Sequence, residues 1–195
     1  MNIQSVALFC GSGAGLTSIY ADAAYQLGAK LAEKHITLYY GGAGLGLMKA
    51  TADGVLQHNG KVIGIAPNFF SKECVMNQTN HEMIYVETMS ERKQLFEKLS
   101  DAFIILPGGY GTMDEFFEVL TDSQLGFHSK PIILYNINGY YNALIQQLEH
   151  FGDETFVRPF HRHLYKVANE LEEVFNGLES YQSPNDPVWL QQIKV

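Results

Sequence analysis

Positive charge is scarce in this chain. Thirteen lysines and arginines face twenty-one acidic residues, a formal net charge of −8. Such a balance repels nucleic-acid backbones and anionic lipid surfaces, so neither is expected as a partner. No run approaches the ~20 apolar residues of a membrane span. The opening Met-Asn-Ile-Gln-Ser-Val lacks the basic segment and apolar stretch of a signal peptide, so no membrane attachment and a cytoplasmic location are expected. Cysteine is nearly absent: Cys10 and Cys74 give neither a disulfide framework nor metal-ligand spacing. His35, His81, His128, His161 and His163 assemble no metal set, and neither a metal nor a cofactor is expected. His128 reads as satisfied by a local hydrogen bond, and His161-Arg162-His163 as solvated surface. The G-x-x-x-x-G-K-[ST] motif of P-loop ATPases does not occur. A dinucleotide site is also disfavoured. Gly11-Ser12-Gly13-Ala14-Gly15 lacks G-x-G-x-x-G spacing, and Tyr39-Tyr40-Gly41 ends a strand without the acid that would hold a ribose hydroxyl.

Glycine, by contrast, is abundant, and ten of the 18 glycines cluster in three loops. Each loop follows an apolar run that reads as a strand: Ser5 to Cys10, Ile36 to Tyr40, and Ala102 to Leu106. Helical stripes alternate with these runs. One carries Ile19, Ala23, Leu27 and Leu31 behind a cap at Thr17 or Ser18, and others span Leu47 to Gln57 and Met89 to Leu99. Further strands are expected at Val62 to Ile65, Met83 to Val86 and Pro131 to Tyr135, with a last edge strand at Leu164 to Ala168. A helix from Asn169 to Leu178 closes the pattern, and Ala66 to His81 shows no period and is expected to form an ordered loop or lid. Alternating strands and helices imply one α/β domain, a doubly wound, Rossmann-like, mostly parallel sheet with helices on both faces. Residues 1–181 are assigned to it, and 182–195, with Pro184 and Pro187, to a C-terminal tail. In such sheets ligands bind beyond the carboxyl ends of the strands, where all three glycine loops fall.

Leu106-Pro107-Gly108-Gly109-Tyr110-Gly111-Thr112-Met113-Asp114-Glu115 is the richest stretch. A buried strand runs into a glycine turn, and a helix opens with free N–H groups aimed back at the turn. Glycines let backbone approach an anion, and the helix dipole favours negative charge there. Thr112 and Glu115 also match a capping box, so Glu115 reads as a cap, as a catalytic acid, or as both at once. If it is a cap, Glu115→Gln should leave the melting temperature unchanged. On the preceding helix, Arg92 lies on the inward side with Met89, Phe96 and Leu99. A guanidinium facing a core needs an anionic partner. That partner could be a phosphate or carboxylate ligand, or an acid of the chain such as Glu115 or Asp101.

Pro107 to Glu115 resembles the Pro-Gly-Gly-x-Gly-Thr-x-x-Glu signature of the lonely-guy (LOG) family, and Met89 to Lys93 its Met-x-x-Arg-Lys element. These are nucleoside 5′-monophosphate phosphoribohydrolases, long mislabelled lysine decarboxylases. The similarity runs from about Val6 to Leu144. It includes Tyr40-Gly41-Gly42, Gln124 to His128 and Asn138-Gly139-Tyr140-Tyr141. The chain departs from the family near Asp122, where a tryptophan is common, at Phe96, usually methionine, and at Gly13, often serine. The resemblance implies hydrolysis of the N-glycosidic bond of a nucleoside 5′-monophosphate. Glu115 and Arg92 would be catalytic. Gly108, Gly109, Gly111 and Thr112 would hold the phosphate, and Ser12, Gly13, Gly42, Met89 and Lys93 would line the same cleft. It further implies a small-molecule nucleotide partner, no cofactor, and a homodimer. The competing reading is a non-catalytic carrier of a phosphorylated ligand, since related folds include molybdenum-cofactor carriers. Decarboxylation with pyridoxal phosphate lacks a lysine with motif support.

Overall fold

Val6-Ala7-Leu8-Phe9 and Ala102-Phe103-Ile104-Ile105 are apolar at every position because both faces of their strands are covered. The computed structural model describes residues 2–69 and 81–184. They form β1 (Ser5–Phe9), α1 (Ser18–Glu33), β2 (Thr37–Tyr40), α2 (Gly46–Gln57), β3 (Val62–Pro67) and β4 (His81–Val86). Then follow α3 (Met89–Leu99), β5 (Ala102–Ile105), α4 (Tyr110–Gln124), β6 (Ile132–Tyr135), α5 (Asn142–Asp153), β7 (Lys166–Ala168) and α6 (Leu171–Ser180). The expected lid falls mainly on residues 70–80, outside the described residues, as do Cys74 and residues 185–195 of the expected tail.

The strands form one sheet in the order β4-β3-β2-β1-β5-β6-β7, with every pairing parallel. Ala7 is in register with Tyr39 on one side and with Phe103 on the other. Period-two alternation then divides the core. Val6, Leu8, Leu38, Ile104 and Ile133 pack under α1, α2 and α6 through Leu27, Leu31, Val55 and Phe175. Ala7, Phe9, Phe103, Ile105 and Leu134 pack against Phe96 of α3, Phe116 of α4 and Leu148 of α5. The sheet is thus doubly wound, as expected. Strand order reverses between β1 and β5, so the loops after these two strands flank the natural ligand crevice.

Three local features shape this frame. Helices α1 and α2 cross at Gly28 and Gly54, where a methyl group would run into the Thr51 and Tyr25 carbonyls respectively. His128 is buried, its Nε2–H donating to the Val119 carbonyl at 2.8 Å and its Nδ1 accepting from the Lys130 N–H at 3.2 Å. Both nitrogens are used in the neutral form, and burial pushes the imidazole down to about 4. His161 departs from the expected solvated surface. It is buried with its ring against Phe160, whereas Arg162 pairs with Asp153 and His163 is exposed.

Gly28→Ala or Gly54→Ala is expected to cost about 1–3 kcal/mol by overpacking, although alanine is the better helix former. Urea unfolding followed by circular dichroism measures it. His128 carries a pH signature. Below pH 6.5 the unfolded chain takes up a proton that the folded chain refuses until about pH 4. Stability should therefore fall across that window, and the stability–pH curve of His128→Gln should be flatter there.

Candidate functional site

The turns after β1, β2 and β5 meet through their backbones. The Gly11 N–H donates to the Pro107 carbonyl at 3.0 Å, and the Leu47 N–H to the Gly11 carbonyl at 3.2 Å. Gly46 abuts the Ser12 carbonyl so closely that a side chain would overlap it. Gly108 is covered by the Thr112 hydroxyl in the same way. The convergence expected of the three glycine loops is therefore real. Beside the join lies a cleft of about 200 Å³, whose walls include Gly13, Gly15, Tyr20, Gly108, Gly109 and Tyr140.

Helix α4 begins at Tyr110 with Gly109 as N-cap, and its first bond runs from the Met113 N–H to the Gly109 carbonyl at 3.1 Å. The N–H groups of Tyr110, Gly111 and Thr112 thus lead the helix with no carbonyl a turn behind them, at the positive end of its dipole. The expected capping box at Thr112 and Glu115 does not form. The glycine turn lets the helix start three residues earlier, so Thr112 sits inside the first turn and buries its side chain over Gly108. The same threonine-x-x-glutamate pattern caps α3 instead. There the Glu91 N–H donates to Thr88 Oγ1 at 3.1 Å, and Glu91 Oε2 accepts from the Thr88 N–H at 3.3 Å.

That cap fixes the start of α3 and sends Arg92 inward. Its side chain is 9% exposed, and Nη1 donates to Glu115 Oε1 at 2.7 Å, while Nε donates to the Ile65 carbonyl at 2.8 Å. The guanidinium lies 4.9 Å from the Phe96 ring centroid. A methyl group on Gly41 would overlap it, so only glycine lets β2 end beside it. Of the two internal partners considered for Arg92, the structure selects Glu115. Asp101 is committed to Ser5, accepting from its N–H and its hydroxyl at 3.0 Å each.

Burial pushes the Glu115 carboxyl above its ordinary 4.5, and Arg92 pulls it only partly back. Its second oxygen accepts no hydrogen bond from the described residues and remains available for chemistry. Cys10, at the end of β1, feels both charges, and burial pushes its thiol far up, so it stays protonated. A basic donor, an ionisable acid and a row of free N–H groups thus stand at neighbouring strand ends.

The remaining candidates divide. Gly13 and Gly109 face open space on the cleft wall, Gly111 is equally unobstructed, and Ser12 is exposed beside them. Gly42 is buried against Met83 and Ala66, away from the cleft. Lys93 does not reach the cleft either. It is held by Glu118 and, at 3.2 Å, by Asp114 on the flank of α4. Met89 is exposed at the first position of α3. Sequence reasoning quoted Tyr140 as part of a family element but gave it no role, and it passed over Tyr20. A tyrosine pair directly after an Asn-Gly turn was the available signal.

The fold and the cleft define a doubly wound α/β protein with a glycine-rich turn and a helix start at its topological switch point. Residues 48–178 match the family described as possible lysine decarboxylase. The cytokinin riboside 5′-monophosphate phosphoribohydrolase LOG5 of Arabidopsis thaliana is 40% identical over 185 residues, spanning 95% of this chain and 81% of that protein. LOG1 of Arabidopsis thaliana, with the same enzyme name, is 40% identical over 192 residues, spanning 96% and 90%. The chain belongs to this family, the LOG family. Among solved structures, the molybdenum cofactor binding protein of Rippkaea orientalis matches with a TM-score of 0.69 at 24% identity, covering 92% of this chain and 98% of that one. The molybdenum cofactor carrier protein of Chlamydomonas reinhardtii matches with a TM-score of 0.68 at 16% identity, covering 91% and 97%. These two likenesses convey the fold.

Because Glu115 is an ion-pair partner and not a cap, Glu115→Gln should lower stability by about 1–3 kcal/mol, since glutamine still accepts a hydrogen bond but leaves the Arg92 charge unbalanced. Thr88→Ala should cost about 1 kcal/mol by removing the cap that forms. Thermal unfolding of both variants checks the assignment. An unchanged Glu115→Gln protein would restore the cap reading.

Proposed function

We propose that the protein hydrolyses the N-glycosidic bond of a nucleoside 5′-monophosphate, AMP or a cytokinin riboside monophosphate, to free base and ribose 5-phosphate. The observation that carries this is the Arg92–Glu115 pair at 2.7 Å beside a helix-start anion cradle. Similarity to proteins named as phosphoribohydrolases across most of the chain supports it.

The chemistry follows from the charges. Breaking the glycosidic bond leaves positive charge on the ribose, and a close carboxylate stabilises that oxocarbenium-like state. Glu115 supplies the carboxylate through its free oxygen and takes a proton from the attacking water. The departing base gains a proton in return, so the step balances. Arg92 holds Glu115 in place and keeps enough of it ionised to act as a base in a buried setting. The N–H groups of Gly109, Tyr110, Gly111 and Thr112 hold the 5′-phosphate. This remote group positions the ribose and turns binding energy into orientation. Lysine decarboxylation with pyridoxal phosphate has no support here: among the described residues no lysine lines the cleft, and Lys93 is held by Asp114 and Glu118.

The proposed setting is a cytoplasmic homodimer, residues 1–181 forming the catalytic domain and 182–195 a tail. No described helix is long and apolar enough to cross a membrane. The exposed Tyr110 and Phe117 on α4 offer apolar surface to a second copy, and light scattering tests that state.

Incubation with AMP followed by chromatography should release adenine, with adenosine a far poorer substrate. Tight binding without base release from any nucleotide would make the protein a carrier. Glu115→Gln should lower kcat by about 100-fold or more. Because the base form of Glu115 is required and burial raises its pKa, the acid limb of kcat/KM should lie above the ordinary glutamate value of 4.5.

A further inference from the structure

Four consecutive carbonyls in the turn after β5 have fixed partners. The Leu106 carbonyl accepts from the Tyr141 hydroxyl at 2.6 Å, and the Pro107 carbonyl from the Gly11 N–H at 3.0 Å. The Gly108 carbonyl accepts from the Tyr140 hydroxyl at 2.7 Å, and the Gly109 carbonyl from the Met113 N–H at 3.1 Å. This matters for an anion because a trans peptide is planar and its N–H points opposite to the preceding C=O. Turning the Gly108 carbonyl onto Tyr140 aims the Gly109 N–H the other way. A glycine peptide is also the one most free to flip, and a flip would replace a donor with a repelling carbonyl.

The tyrosines are held for this task. Asn138 and Gly139 both adopt left-handed backbone, φ 52° and 70°, in the short turn after β6. The Asn136 side chain fastens that turn, its Oδ1 accepting from the Tyr141 N–H at 2.7 Å and its Nδ2 donating to Asn142 and Asn169. Tyr141 is buried, whereas Tyr140 is half exposed on the cleft wall, packed edge-on against Tyr20 and Tyr141.

We propose that Tyr140 is a positioning residue that clamps the Gly108 carbonyl, fixing the Gly109 N–H in the orientation that binds the substrate's phosphate, while Tyr141 holds the Leu106 carbonyl at the base of the same turn. Neither hydroxyl touches the phosphate. Both act through the peptide planes of the turn, and Tyr140, the exposed member, sets phosphate affinity. The inference rests on the phosphate-cradle reading above.

Tyr140→Phe tests it, because phenylalanine keeps the aromatic packing and removes only the hydroxyl. Isothermal titration with ribose 5-phosphate and, separately, with adenosine needs no catalysis. The clamp predicts that Tyr140→Phe binds ribose 5-phosphate about fivefold to tenfold more weakly, the effect of one hydrogen bond, and adenosine as before. Unchanged ribose 5-phosphate affinity overturns the clamp and leaves the cradle standing. A parallel loss for adenosine also overturns it, since general distortion would not discriminate the phosphate. A wild-type protein that binds no ribose 5-phosphate overturns the cradle itself and the clamp with it.

Discussion

A buried guanidinium imposes more on this chain than any other group. Left without a counter-charge, Arg92 would cost about 3–5 kcal/mol, comparable to much of a domain's net stability. Its pairing with Glu115 therefore ties α3 to α4 across the ends of the central strands. The neighbours conform to it. Ile65 turns its carbonyl to Nε, Phe96 offers a ring face, and Gly41 omits a side chain. The Thr88–Glu91 cap sets the first turn of α3, so that the fourth residue points inward.

The pairing changes how an acidic protein attracts an anion. Arg92 is neutralised by Glu115, and Lys93 by Asp114 and Glu118. Neither leaves net positive charge for a phosphate. In the proposed site the attraction falls instead on the N–H groups and dipole at the start of α4, which add no formal charge to a chain at −8. A cradle of neutral dipoles works only if its carbonyls face elsewhere, which explains why each carbonyl from Leu106 to Gly109 has its own partner.

Much of the fold was legible because a parallel sheet covered on both faces writes its strands as apolar runs. β1, β5 and β6 were read to within a residue or two, and the glycine loops marked their carboxyl ends. Arg92 facing inward was legible from helical spacing, with Glu115 among the candidate partners. What escaped was chosen by backbone geometry. The pattern at Thr112 and Glu115 and the pattern at Thr88 and Glu91 are equivalent in sequence. A glycine turn allowing an early helix start decided which of them became a cap. Lys93 and Gly42 failed as cleft residues for a similar reason. Lysine spacing cannot reveal acids one helix away, and a glycine can serve a strand neighbour such as Met83 as readily as a ligand.

Asp122 shows where this member of the family diverges physically. It shares a small recess with Phe9, Lys93, Glu97, Glu115 and Glu118, a recess that has no lining residue in common with the glycine cleft. Burial raises the carboxyls of both Asp122 and Glu97. A tryptophan in place of Asp122 would fill that recess with an apolar ring. Here it is polar and acidic, with Lys93 held among the carboxylates. Asp122 leaves the glycine turn untouched and alters what lies beside Glu115. A change at this position should therefore bear on the protonation of Glu115 while the glycine turn stays as it is.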